Sequence, residues 1–285
     1  WIHYMDAHTP YVPAPRYIRE VSDGLLGTHR MLHAHTRTGL GWEVDDRTLG
    51  ELRTLYQAAI RQVDDSIGRV LESLSANDLD DGTAVVVAGD HGEEFQDHGH
   101  LAHYPKLYDE LIRVPLMIDI PGVDGGRVDG QVGLDAIPPT VADLLGVDTP
   151  ELWQGTSLVP AVVDGDAPPD DPIVSVTVRG EEVTTQPIPR SLDDGDLLVS
   201  VRDRDWTYIR NTGTGAETLY HRPTDPSQTT DRSVDPDDEA TAAVDRYRPI
   251  VDAHAELLQG STSSADLGTE VDDDLGARLE ALGYR

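Results

Sequence analysis

Cysteine is absent from this chain of 285 residues, and lysine occurs once, as Lys106. The first absence rules out disulfides and thiolate metal sites within these residues. The second belongs to a wider scarcity of positive charge: 22 lysines and arginines stand against 53 aspartates and glutamates, a formal net charge of −31. Such a surface repels a polyanion, so nucleic-acid binding is disfavoured. No apolar run reaches the ~20 residues that a membrane span requires, and no secretory signal is visible. The chain opens on Trp1 instead of Met, and the expectation is that an N-terminal part is missing, on which a signal could lie. The length suits one large α/β domain, or one domain with a smaller partner, and is enough to bury a core.

The acidic residues are spread along the whole chain. At ordinary ionic strength their repulsion opposes the compact state; at molar salt the Debye length falls to ~3 Å and the repulsion is screened. An Asp-rich, Lys-poor, Cys-free composition resembles that of proteins from salt-accumulating halophiles. The location this implies is the cytoplasm of such a cell, with export left open; an ordinary acidic protein is the plainer alternative.

Periodicity places the elements. Residues 49–78 carry apolar side chains at 52, 55, 59, 60, 63, 67, 70, 71 and 74, the three-and-four spacing of an amphipathic helix. The run Ala84–Ala88, almost wholly apolar and closed by Gly-Asp-His, predicts a strand buried on both faces of a parallel sheet. A second such strand is expected within Arg113–Gly122. A helix is expected to start after Pro138 and Pro139. From Asp164 to Pro172 the composition is that of a linker. Beyond it, "IVSVTV", "LLVSVR", "WTYIRN" and "ETLYH" predict a small antiparallel sheet. Residues 238–260 read as a helix interrupted or kinked near Pro249, and the Ser/Thr/Asp stretch at 260–274 as mobile. This divides the chain into a core portion, 1–164, and a C-terminal subdomain, 165–285, without internal repeats.

The chemistry concentrates in "GDHGEEFQDHGHLAH", residues 89–103, which holds four of the eleven histidines and four carboxylates. Asp90 and His91 follow the Ala84–Ala88 strand, at the carboxyl end where open α/β sheets collect ligands. A carboxylate and a neutral imidazole are both competent ligands for a divalent cation; a solvent-exposed Asp-His turn is the alternative. His98, His100 and His103 could hold an anionic group and protonate its leaving oxygen, or form a zinc site of their own. The opening stretch "HYMDAHTPY" adds a second Asp-x-His, whose plain reading is a turn with aromatic packing.

Taken in order, "HYMDAHTPYVP", "VVVAGDHGEEFQDHG", "LYDELIRVPLMIDIPG", "GLDAIPPTVADLLGV", "WQGTSLVP", "RDRDWTYIRN" with "ETLYHRPTDPSQTTD", and "RLEALGY" resemble successive signature blocks of the sulfatase family, within the alkaline phosphatase superfamily. The resemblance spans almost all of the chain and implies the C-terminal portion of such an enzyme. The implied fold is α/β: part of a mostly parallel, helix-flanked sheet, alkaline phosphatase-like, with a small C-terminal antiparallel α+β subdomain. The implied metal ligands are Asp90 and His91, for a divalent cation that is usually Ca2+, with Mn2+ or Mg2+ as alternatives. His8 matches the histidine that contacts the sulfate and assists the leaving group, and His103 falls where relatives place a lysine or histidine against that group. Lys106 is a further candidate for substrate binding. The family's nucleophile, a Cys or Ser oxidised to formylglycine in Cys/Ser-x-Pro-x-Arg, and its early Asp-Asp ligand pair are not in these residues; both are expected on the missing N-terminal part, the chain's implied partner, leaving this chain alone inactive. The implied activity is cleavage of sulfate esters of small molecules or saccharides. The alternatives are a phosphoester or phosphonate hydrolase or phosphoglycol transferase of the same superfamily, and a non-catalytic metal-binding module.

Overall fold

A computed structural model describes residues 1–22, 44–179 and 196–262. They form two compact units: Trp1–Tyr104 with Arg113–Arg127, and Pro105–Ile112 with the described residues from Val128 onward. Residues 128–164 thus group with the second unit, ahead of the linker-like composition that starts at Asp164. Among the described residues no helix is long and apolar enough to cross a membrane.

The first unit is organised by the helix Asp46–Ala76, close to the expected 49–78. Its start is fixed by Asp45, whose carboxylate accepts the amide hydrogen of Thr48 at 2.8 Å, the ordinary N-cap bond. Leu52, Leu55 and Ala58 are buried against Tyr11, Tyr17, Ile18 and Phe95. Ile60 and Leu71, on the same apolar pattern, remain 44% and 41% exposed. The opening segment is tied to this helix by Gln62, whose carbonyl accepts from the Ala14 amide at 2.8 Å and whose amide donates to Asp6. A second tie is the Tyr17 hydroxyl, which donates to Asp65 at 2.6 Å.

Strands β1 (Val85–Ala88) and β4 (Leu116–Asp119) pair with Val85 opposite Asp119 and Ala88 opposite Leu116. Both lie where the apolar runs place strands, but this pair is antiparallel, and neither strand is buried on both faces. The reason is legible in β4: Leu116 and Ile118 alternate with the exposed Met117 and Asp119, the period-two pattern of a half-covered strand. An antiparallel strand on an otherwise parallel sheet is common in α/β folds. Between them β2 (Glu94–Phe95) and β3 (Leu101–Ala102) make a short hairpin.

In the second unit β5 (Ile173–Arg179), β6 (Asp196–Arg202), β7 (Trp206–Asn211) and β8 (Glu217–His221) form one antiparallel sheet in sequence order, as expected. The helix Asp238–Thr262 packs on it and continues through Pro249. Tyr247 and Val251, flanking that proline, are fully buried with Val199, Val201, Tyr208 and Leu219, and this packing holds the helix where the proline removes a hydrogen bond. The helix Ile137–Leu144 begins with Pro138 and Pro139 in its first turn. Gly155 lies so close to it that a Cβ would stand 1.9 Å from the Asp135 carbonyl. The expected mobile stretch 260–274 and the "RLEALGY" block fall outside the described residues beyond position 262.

Candidate active site

Asp90 and His91 leave the sheet at the carboxyl end of β1, as the strand assignment requires. Gly89 makes the exit possible: its amide donates to the Pro115 carbonyl at 3.1 Å, and a Cβ there would press on Val114 and Pro115 at 3.3 Å. The Asp90 carboxylate folds back on its neighbour. Oδ1 accepts the His91 amide at 3.0 Å, and Oδ2 lies 3.8 Å from His91 Nε2.

Three of the candidate side chains meet although they are far apart in the chain. The ring of His103 stands 4.6 Å from that of His8 and 4.5 Å from that of His91, centroid to centroid. Each ring is oriented through Nδ1: His8 to the Thr9 carbonyl at 2.6 Å, His91 to the Gly92 carbonyl at 2.9 Å, and His103 to Glu93 Oε1 at 3.1 Å. A carbonyl oxygen only accepts, so His8 and His91 carry a proton on Nδ1, and in the neutral rings Nε2 holds the lone pair. The second contact of a histidine thereby decides what its first can do.

Two carboxylates support this arrangement. Glu94 is fully buried and its Oε1 accepts the amides of His98 and His100, both at 2.8 Å, which closes the β2–β3 hairpin. Glu93, with a side chain only 3% exposed, takes the His103 contact. The Tyr11 hydroxyl also hydrogen-bonds Glu93; burial first, and then the charge of Glu93, raise its pKa, so it remains a donor. Tyr56 is raised by burial and then by Glu93 and Asp90. Tyr11, Tyr56 and Phe95 pack as an aromatic floor, with centroids 5.3 to 6.1 Å apart. Ala102, directly before His103, adopts φ 68°, a left-handed conformation that costs a non-glycine residue about 1 kcal/mol or more.

His100 stacks on Tyr104 at 5.4 Å. Lys106 belongs to the second unit, where it is buried with its ammonium 5.9 Å from the centre of the Tyr108 ring. Reading by motif missed Glu93 and Tyr11. Both were visible as residue types, in "DHGEE" and "HTPYVP", but no periodicity in a loop tells which carboxylate turns inward.

Whether the strand end suits a cation turns on its donors. Asp90 and His91 supply a carboxylate oxygen and an imidazole nitrogen at a spacing that one ion can bridge, with Nε2 as the free nitrogen of a tautomer already fixed. They fit as part of a coordination sphere; among the described residues no three His, Cys, Asp or Glu side chains are grouped to complete one.

The long helix, the strand that ends at Asp90 and His91, and the small antiparallel sheet with its helix further along the chain make an α/β fold. The solved phosphonate monoester hydrolase of Silicibacter pomeroyi has this fold: it matches 87% of this chain and 49% of its own, with a TM-score of 0.64 and 23% identity. The chain belongs to the sulfatase family, whose family model matches residues 1–147. It is 32% identical over 137 residues to a multifunctional alkaline phosphatase superfamily protein of Trinickia caryophylli, covering 46% of this chain and 26% of that protein. It is 27% identical over 225 residues to the choline-sulfatase of Rhizobium meliloti, covering 76% of this chain and 40% of that enzyme. The chain thus spans well under half of these two curated relatives.

Proposed function

We propose that this chain carries the metal-binding strand end and the anion-binding histidines of a hydrolase that cleaves sulfate esters. The observation that supports it most is the meeting of His8, His91 and His103 from positions 95 residues apart, since unrelated histidines rarely converge. Asp90 and His91 would hold the divalent cation, which when bound draws off charge that builds on the sulfuryl oxygens. Carboxylate and water oxygens suit Ca2+, Mg2+ and Mn2+ alike, so all three ions belong in the test. In the imidazolium form, with Nε2 protonated as well as Nδ1, His8 and His103 supply N–H donors for an anionic ester group and a proton for its leaving oxygen. The nucleophile, a formylglycine in this family, would come from outside these 285 residues, which contain no cysteine and no Ser-x-Pro-x-Arg. A sulfated small molecule or saccharide is the proposed substrate, and the acidic composition supports a cytoplasmic, high-salt setting.

The test is turnover of 4-nitrophenyl sulfate and of a phosphonate monoester by the protein that carries this chain together with its nucleophile. Asp90→Asn and His91→Ala alter the ligands themselves and should weaken metal binding by at least the roughly 10–100-fold that loss of a ligand's hydrogen-bond partner costs, and lower turnover with it. His8→Ala should lower turnover about 100-fold or more while metal affinity is kept. Faster cleavage of the phosphonate than of the sulfate ester would replace this reading by the phosphonate hydrolase, and metal binding without turnover of either by a binding module.

A further inference from the structure

The Glu93 carboxylate is not among the groups proposed to hold the metal or the ester, yet its surroundings are specific. Its side chain is almost wholly buried, a costly place for a carboxylate unless its oxygens are hydrogen-bonded. Two side chains do this: His103 Nδ1 at 3.1 Å, and the Tyr11 hydroxyl. The neighbouring Glu94 is committed differently, to the backbone amides of His98 and His100. So of two consecutive buried carboxylates, one shapes the hairpin and the other holds a histidine. The histidine it holds is the middle ring, flanked at 4.6 and 4.5 Å by His8 and His91. His8 and His91 take their orientation from the carbonyl of the adjacent residue; His103 alone of the three takes it from a side chain ten residues away.

We infer that Glu93 is the positioning residue of the site: it fixes His103 in the Nδ1–H tautomer and in its place between His8 and His91, so that Nε2 faces the ester group. Tyr11 anchors Glu93 in turn from the aromatic floor. A carboxylate that orients a histidine through Nδ1 is a common device for setting which nitrogen acts. The inference deepens the proposed function and rests on it for the ester that Nε2 would face, but the orientation itself is a property of this chain and is tested without turnover.

The experiment is side-chain 15N NMR of the histidines in the 285-residue chain, under conditions where the rings are neutral. The wild type should show His103 as a single Nδ1–H tautomer, with ring-to-ring cross-relaxation to His8 and His91. Glu93→Gln, whose carbonyl can still accept, should keep that tautomer. Glu93→Leu, similar in size but with no acceptor, should populate the Nε2–H form and lose the cross-relaxation. A wild-type His103 found as Nε2–H overturns the inference whatever the variants do, and so does an unchanged His103 in a folded Glu93→Leu chain. Where the leucine variant fails to fold, Tyr11→Phe replaces it: removing the hydroxyl should broaden or shift the His103 signals, and a signal identical to wild type overturns the inference. In the protein with its nucleophile, Glu93→Leu should lower kcat about 10–100-fold at nearly constant KM, with Glu93→Gln recovering most of the loss. If the tautomer behaves as stated but Asp90→Asn leaves turnover intact, the positioning holds and the proposed function is what fails.

Discussion

The two units of this chain use similar apolar segments to opposite ends. In the second, β6, β7 and β8 and the helix Asp238–Thr262 enclose one another, and Val199, Val201, Tyr208, Leu219, Tyr247 and Val251 are all 0% exposed. In the first, the strand pair β1–β4 that delivers Asp90 and His91 has no fully buried residue, and Met117 is 60% exposed. The second unit buries its apolar residues between an open four-stranded antiparallel sheet and the helix that packs on it. The first has its own apolar core around Leu52, Leu55 and Ala58 on the long helix, and in addition buries Glu93 and Glu94 behind the histidines. The strand pair that carries the candidate site is thus the least buried part of the two sheets, which fits the rule that function sits in sites carried by a scaffold.

The largest test of that contrast is a pair of alanine substitutions. Leu219→Ala should cost about 2–5 kcal/mol, since it opens a cavity in a closed core. Met117→Ala should stay within about 0.5 kcal/mol. Chemical denaturation gives the totals, and residue-resolved hydrogen exchange should find β6 and β7 protected far longer than β1 and β4. Equal costs at the two positions would erase the contrast.

A smaller effect sharpens it within the second unit. Glu217 accepts from Arg248 at 2.9 Å through each oxygen and from the Tyr208 hydroxyl at 2.7 Å. Arg248 foremost, with Tyr208, lowers its pKa below the usual carboxylate value. Because the folded value is the lower one, the stabilisation is complete above the unfolded carboxylate pKa of about 4.3 and is lost as pH falls through the folded value. Glu217→Gln should therefore destabilise by about 1–2 kcal/mol at neutral pH, and the difference from wild type should close in acid. Melting curves from pH 7 downward check it; a difference that grows in acid would show the assigned pairing to be wrong.

The smallest expected effect concerns the tie between the opening segment and the long helix. Gln62→Ala removes the bonds to Ala14 and Asp6 and should cost about 1 kcal/mol. It should also weaken the His8–His103 ring contact more than the His91–His103 one, because only His8 rides on that segment. Loss of both contacts together would mean that the histidines are held by something other than their loops.

How much of this was legible beforehand follows from which signals are local. The long helix, the four strands β5–β8 and their antiparallel order were readable, since each carries a 3.6- or 2-residue period between clear turn residues. The strand ends at Asp90 were readable too, because an apolar run closed by Gly-Asp-His marks a strand and its exit at once. What the sequence does not carry is that β1 and β4 pair with each other, antiparallel, and are covered on one face only: Val85, Val86 and Val87 show no alternation, and in the partner only Asp119 marks a half-exposed face. The continuity of the last helix through Pro249 depends on Tyr247 and Val251 packing on a distant sheet. Local propensity carries no record of that. The candidate residues His8 and His103 came from motif blocks, while Glu93 and Tyr11 act through contacts across the fold and left no spacing to find.

The strand-end site is tested most directly by paramagnetic Mn2+ titration of the 15N-labelled chain in molar KCl, where the ion's general attraction to a surface of charge −31 is screened. Broadening should begin at Asp90 and His91, reach His103 and His8 next, and disappear from all four in Asp90→Asn. Broadening scattered over the acidic surface, identical in wild type and Asp90→Asn, would contradict the assignment of Asp90 and His91 as metal ligands.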